Sequence, residues 1–134
     1  MKTPILTGDG AQVPELISIG GAAVDGMYFT AHFHREGVVT EIGKKFVKAY
    51  ESNYQKELDA FAALGGECYF LLAHALSQAG SAEGPKVAQA LEAMRDFPGI
   101  TGIITMGKDH NPHKPVMVLK VEKGKFAYQT TIKP

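Results

Sequence analysis

Much that would mark a chemistry is missing from this sequence. It holds one cysteine, Cys68, so no disulfide can form within the chain. A single thiol leaves the redox compartment undecided. Lys plus Arg is 14 and Asp plus Glu is 14, so the formal net charge is zero. A neutral chain carries no electrostatic footprint for nucleic acid or an anionic membrane. The opening MKTPILTGDG has no apolar h-region and does not read as a signal peptide. That start fits either a cytosolic protein or a chain whose true N-terminus lies elsewhere. Internal repeats and low-complexity tracts are also missing.

Catalytic and metal motifs are equally scarce. Gly8-Asp9-Gly10 begins a dinucleotide fingerprint, but the third glycine would fall at Val13 and the pattern fails. There is no G-x-S-x-G, and no Ser/His/Asp or Cys/His order sits near a turn. Zinc needs about four converging ligands, usually with cysteine or carboxylate in regular spacing. The five histidines do not supply that. His32 and His34 are spaced for one face of a strand, His110 and His113 flank a turn, and His74 reads as a hydrogen-bonded core histidine. No metal or cofactor is expected.

What the sequence does have is a long apolar stretch, Leu58 to Ala79. It is apolar on nearly every side, so as a helix it has no solvent face and belongs in the middle of a fold. Gly65, Gly66, Glu67 and His74 interrupt it, which argues against a bilayer span. Cys68 within it reads as a buried, inert thiol. Gly65-Gly66 is either a weak point or a close approach of another backbone.

Around this stretch the chain alternates between strand and helix signals. Residues 4–7 read as a buried strand ending in the Gly8-Asp9-Gly10 turn. Val13 to Ile17 opens a short helix with Pro14 in its first turn, ended by Gly20-Gly21. Residues 27–33 are aromatic-rich and strand-like. Val38, Ile42, Phe46, Tyr50 and Tyr54 recur at steps of four and predict an amphipathic helix, with Lys44, Lys45 and Lys48 on its solvated face. Gly80 is a left-handed cap, and Ser81 to Met94 carries a further helix with Pro85 near its start. Strands are expected at 100–106, 116–122 and 125–131, with a polar loop at 107–115 and a Lys123-Gly124 hairpin turn. The class is α/β.

Asp9 is the one side chain with a pointed chemical reading. It lies between two glycines at the carboxyl end of a strand, where open α/β sheets bind ligands. An ionised carboxylate is acceptor-only and suits an ammonium group. A solvated turn aspartate accounts for it equally well.

Several segments together carry a family resemblance. They are PILTGDG at 4–10, GAAVDGMYFTAHF at 21–33, FVKAYESNY at 46–54, DAFAALGGECYFLLAHAL at 59–76 and FPGITGIITMGKDHNPHKPVMVLKVEKGKF at 97–126. In this order and spacing the chain resembles the C-terminal third of the branched-chain (Leu/Ile/Val) amino-acid-binding proteins of bacterial ABC transporters. The resemblance implies a partial periplasmic binding fold of type I. That fold has two α/β lobes joined by three crossovers, with the ligand held in the cleft between them. Residues 1–34 and 100–134 would then be strands of the second lobe, and 35–99 helices of the first.

The resemblance also implies roles. Asp9 matches the acidic residue that holds the ligand's α-amino group, and Phe61 an aromatic that packs on the ligand. The family's contacts to the α-carboxylate come from a part with no counterpart here. Gly66 stands where many relatives have Tyr, and His110 and His113 stand where relatives have Asn, Gly or Asp, so no role carries over there. The implied function is ligand binding without catalysis, for an amino acid or an aromatic acid. The implied setting is the periplasm, in partnership with an ABC permease. A second expectation is an interaction domain that has lost ligand binding and self-associates as a homo-oligomer or element-swapped dimer. The stripe Val38, Ile42, Phe46, Tyr50 would otherwise lack a partner.

Overall fold

Lys123 and Gly124 both take left-handed backbone, with φ of 51° and 72°. Two successive residues of this kind make a turn whose twist matches that of the flanking strands. The turn joins β6 (Val116–Glu122) to β7 (Lys125–Ile132) in the longest ladder of the chain. The computed structural model describes residues 3–134. In it β6 pairs on its other side with β2 (Tyr28–Ala31), antiparallel, and β2 pairs in parallel with β1 (Leu6–Thr7). The sheet order is β1-β2-β6-β7.

Alternation decides which face of this sheet is covered. Phe29 and Ala31 from β2 and Met117, Leu119 and Val121 from β6 point into one core. Leu16 and Ile17 pack over it from α1 (Pro14–Gly20), with Val24 just beyond. Pro14 sits in the first turn of α1, where its missing N–H costs nothing, and Gly21 ends the helix at φ 51°.

A second body of structure lies between β2 and β6. It holds α2 (Glu41–Tyr54), α3 (Ala60–Ala79), α4 (Gly84–Glu92) and a small sheet of β3 (Phe97–Pro98), β4 (Ile103–Met106) and β5 (Pro112–His113). Caps set the helix ends. Thr40 accepts from the Gly43 amide and Asp59 from the Ala62 amide. Gln55 and Gly80 close α2 and α3 in left-handed conformation. The core here is Phe33, Leu58, Ala60, Ala63 and Ile100, with Phe46, Tyr50 and Phe70 against it.

Several expectations need correction. The central helix forms, but it is not buried: Phe61, Tyr69, Leu72 and Leu76 are exposed, and Cys68 with them. Only Ala60, Ala63, Glu67 and Ala75 of α3 are fully covered. An all-round apolar helix needs a neighbour on each side, and the described residues supply neighbours on one side only. The strand at residues 4–7 shortens to Leu6–Thr7 and is exposed, with Leu6 at 75%, for the same reason.

The strand expected at 100–106 begins at Ile103. Residues 100–102 are a buried turn in which the Gly99 amide donates to the Gly102 carbonyl and Gly102 holds φ 145°. β4 and β5 pair with β3, and the chain joins the four-stranded sheet again only at Val116. His74 is half-buried with its ring 5.0 Å from that of Phe97, so it packs against an aromatic in place of the expected core hydrogen bond.

Candidate functional site

The chain leaves β1 through Gly8 and enters a single 3-10 turn at Asp9–Ala11. The Ala11 amide donates to the Gly8 carbonyl, and the Gln12 amide donates to the Asp9 carbonyl at 3.0 Å. A Cβ built at Gly8 or Gly10 would meet nothing within 4 Å. The space beside Asp9 is therefore open, as the two flanking glycines suggested.

Two contacts dock this turn on the segment that follows β2. The Gln12 side-chain amide donates to the Phe33 carbonyl at 2.8 Å. His32 Nε2 stands 2.9 Å from Asp9 Oδ2. The Asp9 side chain is 57% exposed even so. Two buried polar atoms in this docking have no partner among the described residues, Gln12 Oε1 and His32 Nδ1.

Phe61 occupies the first turn of α3 and is 62% exposed. The link between it and Asp9 is the step His32–Phe33. His32 contacts Asp9, while Phe33 is buried in the same core as Ala60 and Ala63, the neighbours of Phe61 on α3. An acid and an aromatic thus stand uncovered on the two elements that this step connects.

Two surface clefts form elsewhere, of about 580 and 760 Å³. One lies along α2 beside Arg35, Lys44, Lys48 and Glu51, and the other between α3 and α4 near His74 and Arg95. Neither includes Asp9 or Phe61.

The histidines do not converge. His34 stacks on Tyr128 with ring centroids 6.0 Å apart, and its Nδ1 accepts from the Glu36 amide. β2 ends at Ala31, so His32 and His34 follow the strand instead of sharing its face. His110 lies 3.3 Å from Glu92, and His113 lies 3.7 Å from Asp109. Among the described residues no three His, Cys, Asp or Glu side chains are placed to hold a metal ion.

Sequence reasoning missed a buried polar cluster. Glu67 Oε1 accepts from the Thr101 amide, and Glu67 Oε2 accepts from the Thr101 hydroxyl, each at 2.7 Å. Lys114 Nζ donates to Glu67 Oε2 at 3.0 Å and to the Thr101 hydroxyl at 2.6 Å. Thr40 adds a bond from its hydroxyl to the Gly99 carbonyl at 2.6 Å. The signal was a lone carboxylate in an apolar run, which must be paired if its face is buried. The same cluster separates α3 from a membrane span. The helix has the length and hydropathy of one, but its inward face carries an ion pair inside a protein core.

Comparison with known proteins matches the chain to a family. The sequence profile of the periplasmic binding proteins matches residues 2–125. A search of curated proteins found no match. Among solved structures, a leucine-binding protein LivK from Thermotoga maritima is 40% identical with a TM-score of 0.93, over 100% of this chain and 38% of that one. The branched-chain amino-acid transporter substrate-binding protein LivJ from Streptococcus pneumoniae, in complex with isoleucine, is 30% identical with a TM-score of 0.84, over 99% of this chain and 38% of that one. A solute-binding protein from R. palustris in complex with benzoate shares the fold at 23% identity and TM-score 0.71, over 97% and 36% of the two chains. The chain thus spans well under half the length of the structures it matches. It belongs to the periplasmic binding protein family.

Proposed function

We propose that this chain forms one wall of the ligand site of a solute-binding protein that serves an ABC importer and carries out no catalysis. The ligand is an amino acid. Asp9 takes its ammonium group and Phe61 packs on its side chain or backbone. The setting is the periplasm, and the partner is the importer's permease. Residues 3–31 and 116–132 belong to one lobe, and the intervening helices and small sheet to the other.

The observation that carries this reading is the pair of uncovered side chains on either side of the His32–Phe33 step. An exposed carboxylate with open space beside it and an exposed aromatic stand on elements that both pack against residues 32–33. The likeness to proteins described as binding leucine and isoleucine adds to it. A charge-assisted hydrogen bond contributes about 1.5–3 kcal/mol. Asp9→Ala therefore weakens amino-acid binding by about tenfold to a hundredfold, and Phe61→Ala by a comparable amount through lost contact area. With this chain supplying one wall of that site, its affinity on its own is millimolar or undetectable. Titration of the labelled chain with an amino-acid panel and an aromatic-acid panel, followed by NMR, tests the reading. Binding that Asp9→Ala leaves unchanged removes the role given to Asp9, and a response to aromatic acids alone changes the ligand class.

A second reading is favoured by one observation, the exposed apolar face of α3. Under it the chain is an interaction domain that associates with itself through that face. Light scattering separates the two readings, since ligand binding alone leaves the mass at that of one chain.

A further inference from the structure

Beyond Asp9 and Phe61, the segment on which the Asp9 turn docks contains a residue that neither the family match nor the sequence reading places at the ligand. We propose that His32 is a positioning residue of the amine subsite, holding one oxygen of the Asp9 carboxylate so that the other faces the ligand. The inference rests on the reading that Asp9 binds an ammonium group.

Three observations carry it. The first is the contact itself: His32 Nε2 lies 2.9 Å from Asp9 Oδ2, while the Asp9 side chain stays more than half exposed. One carboxylate oxygen is engaged from within, and the side chain still meets solvent. The second is that the contact belongs to a docked turn. The Gln12 side-chain amide holds the same turn to the Phe33 carbonyl, so His32 and Asp9 approach on two pieces of backbone already tied together. A positioning contact needs such support, because an imidazole on a free loop holds nothing in place.

The third is that His32 Nδ1 is buried and has no partner among the described residues. In the tautomer with its proton on Nε2, an N–H faces the carboxylate and no N–H is left buried without an acceptor at Nδ1. In the opposite tautomer a lone pair faces the carboxylate and a buried N–H goes unpaired. Of the two neutral forms the geometry selects the first. In that tautomer His32 orients the Asp9 carboxylate without cancelling its charge, which a cationic ligand needs. An arginine or lysine in the same place would neutralise the acid. A carboxylate with no neighbour would rotate freely and present its oxygens over a range of directions.

The test compares L-leucine with 4-methylpentanoate, the same carbon frame without the amine, by NMR titration of this chain. Each is run on the wild type, Asp9→Ala, His32→Ala and His32→Gln. Glutamine reaches the Nε2 position with an N–H donor and cannot carry charge. The expected result is that His32→Ala lowers the preference for leucine over 4-methylpentanoate by about tenfold, that His32→Gln restores it to within about threefold, and that binding of 4-methylpentanoate stays constant. A merely structural role for His32 would weaken both ligands together, and that result overturns the proposal. Loss of the preference in Asp9→Ala but not in His32→Ala also overturns it, while leaving the role of Asp9 intact. A wild type with no preference for leucine removes the amine role of Asp9 and this proposal with it. The imidazole nitrogen shifts of His32 give a reading that needs no ligand: a protonated Nδ1 with a bare Nε2 contradicts the proposal.

Discussion

Glu67 and Thr101 meet across thirty-four positions of sequence through two hydrogen bonds of 2.7 Å, one from the Thr101 amide and one from its hydroxyl. Lys114 completes the cluster from the segment that leads into β6, and both charged side chains are almost fully buried. Such a pair contributes little against a well-packed apolar replacement. Removing one partner alone, however, leaves the other charge stranded and costs about 3–5 kcal/mol. Glu67→Ala strands Lys114 and also frees the two Thr101 donors. Lys114→Met leaves Glu67 with both Thr101 bonds. Urea denaturation should therefore show Glu67→Ala as the more damaging of the two by more than about 1 kcal/mol. Equal losses would mean that the lysine, not the threonine, satisfies the carboxylate.

The adjacent glycines of α3 should respond in opposite directions to the same substitution. A Cβ at Gly65 meets nothing within 4 Å, so Gly65→Ala removes a flexible residue from a helix interior and stabilises by about 0.5–1 kcal/mol. A Cβ at Gly66 would collide with the Phe46 ring and reach Ile100 Cδ1 at 3.0 Å. Phe46 cannot swing aside freely, since its ring sits 6.1 Å from Phe70 and 6.4 Å from Tyr50 in the same core. Gly66→Ala therefore destabilises by about 1–3 kcal/mol. Thermal melts of the two single variants check the sign of each.

These cases show what was legible in the sequence. α2, α4 and the β6–β7 hairpin depend on caps, periodicity and turn residues within a few positions, and they stand where the pattern puts them. The extent of α3 was legible for the same reason. Its burial was not, because burial belongs to the neighbour as much as to the helix. Ile100 and Thr101 have strand-forming side chains, yet Glu67 holds the Thr101 amide and Gly102 takes a backbone few residues adopt, so tertiary bonds override local preference. The position of Asp9 could be read from its two glycines. The contact with His32, twenty-three positions away, could not, since nothing local ties the two together.

The 107–113 loop makes a prediction about pH. Asn111 donates to the Asp109 carboxylate from its side chain at 3.0 Å and from its backbone at 3.2 Å. These bonds, helped by His113, hold the Asp109 carboxyl below its ordinary value of 3.8. A depressed carboxyl contributes stability that is complete above the ordinary value and is lost as pH falls through the folded one. Carbon NMR of Asp109 should show it titrating below its ordinary value in the native chain. In Asn111→Ala it should move back up, and an unchanged midpoint would assign the shift to another group.

The last prediction concerns the open face of α3. Phe61, Cys68, Tyr69, Leu72 and Leu76 fall on it at helical spacing, with Tyr69 at 69% and Leu72 at 47% exposure. Each large apolar side chain buried contributes about 1.5–3 kcal/mol. Bringing two chains together costs about 4–15 kcal/mol in lost freedom. On two chains the four such side chains, each already about half covered, together offer about 6–12 kcal/mol, close to that cost, so the face should support a weak dimer and not a tight one. Light scattering should give a mass near 14.4 kDa when dilute, rising with concentration. Leu72→Glu places a charge in the middle of the face and should hold the mass constant over the same range, with an unchanged melt because the site is half-exposed in the single chain. Cys68 lies on the same face and reports on it independently. Its reaction with a thiol reagent should be fast when dilute and slow as concentration rises, and Leu72→Glu should abolish the slowing. A thiol that reacts equally fast at every concentration would place the contact between chains somewhere other than α3.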